Sequence, residues 1–510
     1  MVRDPLPVPR ARPVLVTGVV LALYTVLAVC MIASRRAPSR VAYDQRLYHE
    51  DAVRQFAAQW PAIDVWDYQS ATTPGYHVTL GLVARYVSDE RWALQCAGML
   101  WTGLFMGLWA WVVGRRAPWP MAIALALPMV LSNYQLLPGA FLLPDAAGWL
   151  GVLAILAIAL RPRVTAPWLV ACGAILVYTV LMRQIHAWTA GLVLASTWLS
   201  TPANDDEAPG EPPLAKQLFG DLGPRVRRTL IAIACIVPAA VLLFLFLRYW
   251  GGLVPPRFQE WYRPRTPTQM ALSPSLVYLL AVVGAYSPFY AASWFPALVR
   301  AWNERRDAML LIAAAGVVAA LIPPTAPDYD EGRRTALWEL AKRFPIIADR
   351  WSLLMIGLAV LGSIVLGALL LAQRPRQRLI LLAAFLGMAA ALSASVEVWQ
   401  RYTEALVLMV VTIACCHVAA ESERTADAGE HRLGSKTRRG GGTIRAARVA
   451  GPALLGVVLG LGTLRLMTRN TLDIDGPPPP AKAPDHHGLF DPPVLKPRPE
   501  KPAGRSFWPG

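Results

Sequence analysis

Little in this chain could fold on its own in water. No polar stretch is long enough to build a soluble domain, and no HExxH helix, Walker loop, GxGxxG turn or GxSxG elbow occurs, so soluble cofactor or nucleotide chemistry on a cytoplasmic domain has no support. Cysteine is scarce: Cys30, Cys96, Cys172, Cys235, Cys415 and Cys416 all fall inside apolar segments, as packing residues rather than disulfides or metal ligands. His49 and His77 are far apart in sequence and His486-His487 sit near the end, so no ligand set is apparent, and neither a metal nor a cofactor is expected. No internal repeat is evident, which argues against repeat-built transporter folds.

What the chain has is apolar length. Hydrophobic residues make up 55% of it, with a mean hydropathy of +0.40, and runs near the ~20 residues that cross a bilayer recur along nearly the whole sequence. The expected fold is all-α, a polytopic helical membrane protein. Spans are placed near 13–33, 92–113, 118–134, 142–160, 164–182, 186–200, 229–247, 275–299, 308–323, 351–372, 379–395, 403–419 and 447–467, about thirteen in all. Arg35-Arg36 follows the first at once with no small-residue cleavage site, so that span is expected to be retained.

Basic residues set the expected orientation. Arg115-Arg116, Arg161 with Arg163, Arg225 to Arg228, Arg300 with Arg305-Arg306, Arg374 to Arg378, and Arg432 to Arg448 lie in alternate loops, which are therefore read as cytoplasmic. Arg35, Arg36 and Arg40, just beyond span one, run against the pattern. The formal charge of +16 is mostly topogenic and meets anionic membrane lipids; no basic stripe carries interleaved aromatics, so nucleic acid is not an expected partner. Residues 1–419 form the expected transmembrane domain and 447–467 a terminal span. Between them, 420–446 reads as a disordered cytoplasmic loop, as does the Pro/Asp/Glu/Gly-rich 201–224, and 468–510 as a Pro-rich disordered outer tail.

The opposite loops carry the unusual residues. The first, 34–91, holds Asp44, His49, Glu50 and Asp51, and a carboxylate and histidine cluster just outside a span is where a polytopic enzyme places acid/base groups. Val53, Phe56, Ala57 and Trp60 stand at i, i+3, i+4 and i+7, predicting a juxtamembrane amphipathic helix from about His49 to Trp60 that can lie along the membrane surface, with Asp44 just before it.

Tyr43-Asp44 through Tyr48-His49, then Thr72-Thr73-Pro74-Gly75, resembles the first lumenal loop of the dolichyl-phosphoglucose-dependent alpha-1,2-glucosyltransferases, members of the GT-C superfamily of polytopic glycosyltransferases. Further segments follow in family order. Pro144-Asp145 is similar to the family's Thr-Asp, Met182-Arg183-Gln184-Ile185-His186-Ala187-Trp188 to its Arg-Gln-Thr-Asn-hydrophobic-Trp, and Trp250-Gly251-Gly252-Leu253-Val254 to its Asn-Gly-Gly-hydrophobic-Val. Phe344-Pro345 through Ala348-Asp349-Arg350 resembles its Pro-Phe-Leu-Leu-Ala-Asp-Asn-Arg, and Glu397 with Arg401-Tyr402 its Glu-Pro-Arg-Tyr. Departures mark a remote, bacterial-style member: Tyr43-Asp44-Gln45 stands for Met-Asp-Glu with one residue more before the histidine, His186 replaces the Asn, and the Pro before Arg-Tyr is lost.

The resemblance implies a GT-C-like fold on the bacterial cytoplasmic membrane. Its implied activity is transfer of a hexose, glucose first, from a polyprenyl-phosphate sugar donor to a glycan or lipid-linked acceptor on the extracytoplasmic face, as one inverting displacement. Arg183 and Arg401, at span ends, suit the donor phosphate by charge-assisted bonds. Asp44 is the first choice of general base and Asp145 the second; His49, Gln184, Asp349, Arg350, Glu397 and Tyr402 complete the implied substrate site. The rival readings are a polytopic transporter or lipid flippase, whose mid-span ionisable residues are few here, a scaffold subunit, and a related transferase using mannose or arabinose.

Overall fold

A computed structural model describes residues 12–200, 218–220, 222–259, 262, 265–328, 333, 336–395, 397–433, 438–469 and 471–476, with backbone only over 423–441. Among these, eight helices are long and apolar enough to cross a membrane, or nine if one bent pair is counted as a span. The chain is thus a polytopic helical membrane protein, all-α apart from short strand pairs.

The first span, α1 (Pro13–Ala33), leads into β1 (Arg36–Pro38) and α2 (Ser39–Tyr43), which runs without a break into a π-helical segment, Asp44–Glu50, and then α3 (Asp51–Gln59). After α4 (Gly75–Tyr86) comes the span α5 (Arg91–Gly114). The expected span 118–134 is a pair, α6 (Trp119–Leu131) and α7 (Asn133–Ala140), bent by 63°. Ser132 leaves helical backbone at ψ 130° and its hydroxyl caps α7 by accepting from the Tyr134 amide, which is the cause of the break. The expected spans 142–160 and 164–182 appear as α8 (Asp145–Ala159) and α9 (Ala166–Met182), both shorter than eighteen residues. In place of 186–200 stand a 3-10 turn, Gln184–Trp188, and the ten-residue α10 (Thr189–Trp198).

The remaining spans are α11 (Leu222–Trp250), the stretch Pro267–Glu304 made of α12 (Pro267–Ala271), α13 (Ser275–Tyr286) and α14 (Ala291–Glu304), then α17 (Leu353–Leu371), α18 (Pro375–Ser393), α19 (Gln400–Leu433) and α20 (Arg438–Thr468). Between α14 and α17 lie α15 (Arg306–Leu321), α16 (Leu337–Ala341) and the hairpin β2 (Ile346–Ile347) and β3 (Trp351–Ser352). Residues 420–433 and 438–446, read from composition as loop, continue α19 and α20 as helical backbone. The acidic loop over 201–217, and the tail beyond 476, lie outside the described residues.

The chain closes on its beginning. β4 (Thr471–Asp473) pairs antiparallel with β1, Arg36 opposite Asp473, and the Ile474 amide adds a bond to the Arg35 carbonyl at 2.9 Å. Ile474 is buried in the main core, and Arg91 donates to its carbonyl and to Asp475 at 2.6 Å while gripping both oxygens of Glu50 at 2.7 and 3.1 Å.

The amphipathic helix of the first loop is present, but its apolar stripe faces protein. Val53 packs with Tyr76, Leu80 and Leu94, and Phe56 with Trp66, Tyr68, Tyr249 and Trp250, so the burial that a membrane surface would have supplied comes from α4 and the end of α11. α4 can sit this close because it begins at Gly75: a Cβ there would lie 2.7 Å from the Leu181 carbonyl oxygen of α9.

Candidate active site

At the end of the bundle where β1 and β4 meet, a cavity of about 560 Å³ opens. Its walls come from residues far apart in sequence, among them Arg40, Asp44 and His49, then Ala71, Asp145, Arg183 with Gln184, Gly251 with Gly252, Tyr262, Glu397 and Arg401 with Tyr402. Most of these residues lie in the loops that the basic residues were expected to leave outside.

Asp145 is the first residue of α8 and Arg183 the residue that ends α9, in extended backbone at φ −156°, so their ion pair joins the ends of two neighbouring helices. Arg401, in the first turn of α19, donates from Nη1 to Asp44 Oδ2 at 2.8 Å and places Nε 3.7 Å from Asp145 Oδ2. Two guanidinium groups thus converge on one enclosed carboxylate, and one of them reaches on to a second, open one. The Asp145 side chain is 1% exposed and that of Asp44 23%. The Tyr402 ring lies under both cations, 4.7 Å from the Arg183 carbon and 5.2 Å from that of Arg401, and stacks on Trp399. Arg40 lies over the Trp399 ring, 4.7 Å from its centroid.

The extra residue between Asp44 and the histidine is absorbed by the π-helical segment. A π turn accommodates one residue more than an α turn, so Asp44 and His49, five apart, both line the cavity. Behind His49 is His77, Nδ1 to Nε2 at 2.9 Å, wholly buried. Burial, then His77 and the Arg401 and Arg183 charges, hold the His49 pKa well below its ordinary value, and burial lowers His77 to about 3, so both imidazoles are neutral. Tyr48 is pushed up to about 12 by burial, then by Asp44 and Glu397, and stays a hydroxyl. Glu397 also lines the cavity and accepts from the Tyr262 hydroxyl at 3.3 Å.

Gln184 faces the cavity, but its carboxamide is occupied. Oε1 accepts from the Thr73 amide at 3.0 Å, and Nε2 donates to the Ala71 carbonyl at 2.9 Å and the Leu253 carbonyl at 3.0 Å. It ties the first loop to the Gly251-Gly252 turn, which leaves no free valence for a sugar. His186, standing for the family's Asn, turns inward against Trp149, with ring centroids 4.6 Å apart. Asp349 and Arg350 do not join the site: Ala348 and Asp349, at φ 51° and 54°, form the turn of the β2–β3 hairpin, and Arg350 donates to the Ile322 carbonyl at 2.9 Å.

Reading the sequence overlooked several residues. Arg40 carried a signal, as one of the arginines on the wrong side of the charge pattern. Asp67, buried and gripped through one oxygen by Arg257 at 2.9 and 3.1 Å, anchors the 251–259 wall to the first loop. Glu404, enclosed by Ser132, Gln400 and Tyr286, holds the start of α19 from behind. Neither pairing has a local sequence signature.

No family model matches the chain, and no curated protein matches it. Among solved structures it is similar to ArnT from Cupriavidus metallidurans, bound to undecaprenyl phosphate and in the apo state. Both comparisons have 17% identity and a TM-score of 0.34 over 82% of this chain, covering 82% and 78% of the other.

Proposed function

We propose that the chain is a membrane glycosyltransferase of GT-C type that moves a hexose, glucose as first choice, from a polyprenyl-phosphate donor to a glycan or lipid-linked acceptor, with inversion. The carrying observation is the ladder Asp44–Arg401–Asp145–Arg183 on one wall of the cavity, with an open carboxylate at one end and arginines fixed behind it.

Each member has a part. The donor's phosphate oxygens meet Arg183 and Arg401, which Asp145 and Tyr402 hold in place, and Arg40 adds a third cation to the cavity wall. As phosphate takes up Arg401, Asp44 exchanges its ion pair for the acceptor hydroxyl. The acceptor O–H proton passes to Asp44, the acceptor oxygen bonds to the anomeric carbon, and the bond from that carbon to the phosphate oxygen breaks, leaving its electron pair on polyprenyl phosphate. The arginines stabilise that charge where it develops. Asp145 is the poorer base, because it is enclosed between two guanidinium groups and cannot reach an acceptor. Tyr48 and Tyr262 supply rings against which a pyranose can lie.

The test is direct. Purified protein in nanodiscs is incubated with a panel of polyprenyl-phosphate hexoses and pentoses and envelope-glycan acceptors, and products are read by mass spectrometry. A hexosyl product lost in Asp44→Asn supports the reading; transfer from no donor in the panel overturns it.

A further inference from the structure

Between His49 and His77 there is one hydrogen bond, at 2.9 Å, and therefore one proton. The rings lie nearly parallel, 18° apart, and His77 is fully enclosed against Tyr68 and Tyr76. Its Nδ1 is buried with no partner among the described residues. That vacancy decides which ring donates.

If His49 donated from Nδ1, a neutral His77 would carry its proton on Nδ1, leaving a buried N–H without an acceptor. A doubly protonated His77 would have the same orphan and a buried charge besides. With His77 donating from Nε2, only a lone pair is left buried at Nδ1, and orphaned donors are much the rarer of the two in folded proteins. The neutral His49 then accepts at Nδ1 and must carry its own proton on Nε2. That nitrogen has no protein partner among the described residues and is not enclosed, while its ring lines the cavity.

We infer that His77 is a positioning residue that fixes the tautomer of His49, so that His49 meets the substrate with an Nε2–H donor for an oxygen of the bound phosphosugar. The substrate half rests on the transferase reading above; the tautomer half does not. The π-helical segment brings this donor to the same cavity as Asp44, so the base and a neutral donor act from one short stretch of chain. A lone histidine would be free to present either nitrogen, and half of its tautomers would meet a substrate oxygen with a lone pair.

Nitrogen NMR of ¹⁵N-histidine-labelled protein in nanodiscs tests the tautomer without any substrate, with His49 signals assigned by their loss in His49→Gln. A pyridine-type Nδ1 and pyrrole-type Nε2 are expected, and the reverse pattern overturns the inference. His77→Gln keeps a donor to Nδ1 and should keep both the pattern and turnover. His77→Glu, an acceptor only while its carboxylate is ionised, should at a pH where it is ionised invert the pattern and, with the polyprenyl-phosphate hexose that the protein uses, raise KM about tenfold, one hydrogen bond's worth. An unchanged pattern in folded His77→Glu protein, or equal turnover loss in the Gln and Glu variants, also overturns it. Absence of transfer from every donor would count against the transferase reading while leaving the NMR result to stand alone.

Discussion

Arg401 and Asp44, 357 positions apart in the chain, share a hydrogen bond of 2.8 Å at the open end of the cavity. The bond joins the start of α19 to the π-helical segment that follows α2.

The two carboxylates that touch Arg401 should behave differently. Asp44→Asn keeps size and most hydrogen bonding but cannot take a proton, so turnover should fall by about 10²–10⁴-fold with donor binding and melting temperature near wild type. Asp145→Asn strips the charge from between two buried guanidinium groups and should cost stability, on the order of 3 kcal/mol. Turnover assays with thermal melts decide it: a collapse of rate in a stable Asp145→Asn, with more than about a tenth of the rate left in Asp44→Asn, would exchange their roles.

Arginines of the cavity and of the opposite loops should separate just as clearly. Arg183→Ala should weaken donor binding and lower turnover by about 10²–10³-fold, whereas Arg115→Ala, remote from the cavity, should leave both within about twofold. Equal losses would return Arg183 to a role as a headgroup anchor.

For Gln184, whose amide atoms are all spent on Ala71, Thr73 and Leu253, the loss should be structural. Gln184→Leu should destabilise the protein by about 1–3 kcal/mol and expose the 251–259 wall to protease. Unaltered proteolysis with a large rise in KM would show that the amide touches substrate after all.

The histidine pair makes stability depend on pH. His77 has a pKa of about 3 in the fold against an ordinary ~6.5, so between these values the unfolded chain binds the extra proton. Its contribution is intact above pH ~6.5 and lost as pH falls below it, at up to ~1.4 kcal/mol per pH unit, and His49 acts in the same direction. Melting temperature from pH 8 to 5 should therefore fall, and fall less steeply in His77→Gln; parallel curves would show that the pair does not titrate this way.

Sidedness can be read by labelling. Thr266 and Glu304 are exposed at opposite ends of the span Pro267–Glu304, so Thr266→Cys should react with an impermeant thiol reagent from outside the cell and Glu304→Cys only after permeabilisation. Reaction of both from outside would remove the basis for an extracytoplasmic site.

Hydropathy located the long spans well, because a bilayer-length apolar run has few alternatives. It says least where a helix is wrapped by others: α8, with most of its residues buried, is apolar whatever its length, so composition does not fix where it ends. The site was legible as pieces. Asp44 and His49 were marked by polarity just outside a span, and Asp145, Arg183, Glu397, Arg401 and Tyr402 by their resemblance to glucosyltransferase motifs; the structure gathers all seven into one cavity. What polarity could not reveal was division of labour. Asp145 and Asp44 look alike in sequence, and only the second guanidinium, arriving from α9, makes one an anchor and leaves the other open. Gln184 looked like a sugar ligand for the same reason, since the carbonyls it holds have no side-chain signature.

β1 is made before α5 and every later span, and β4, its hydrogen-bonding partner, after all of them. Through synthesis and insertion of every intervening span, the strand that leads into α2 has its edge uncovered, and Glu50 lacks the Arg91–Asp475 brace in its finished form. The loop that holds Asp44 and His49 is therefore latched only once β4, made after the whole set of later spans, has reached β1.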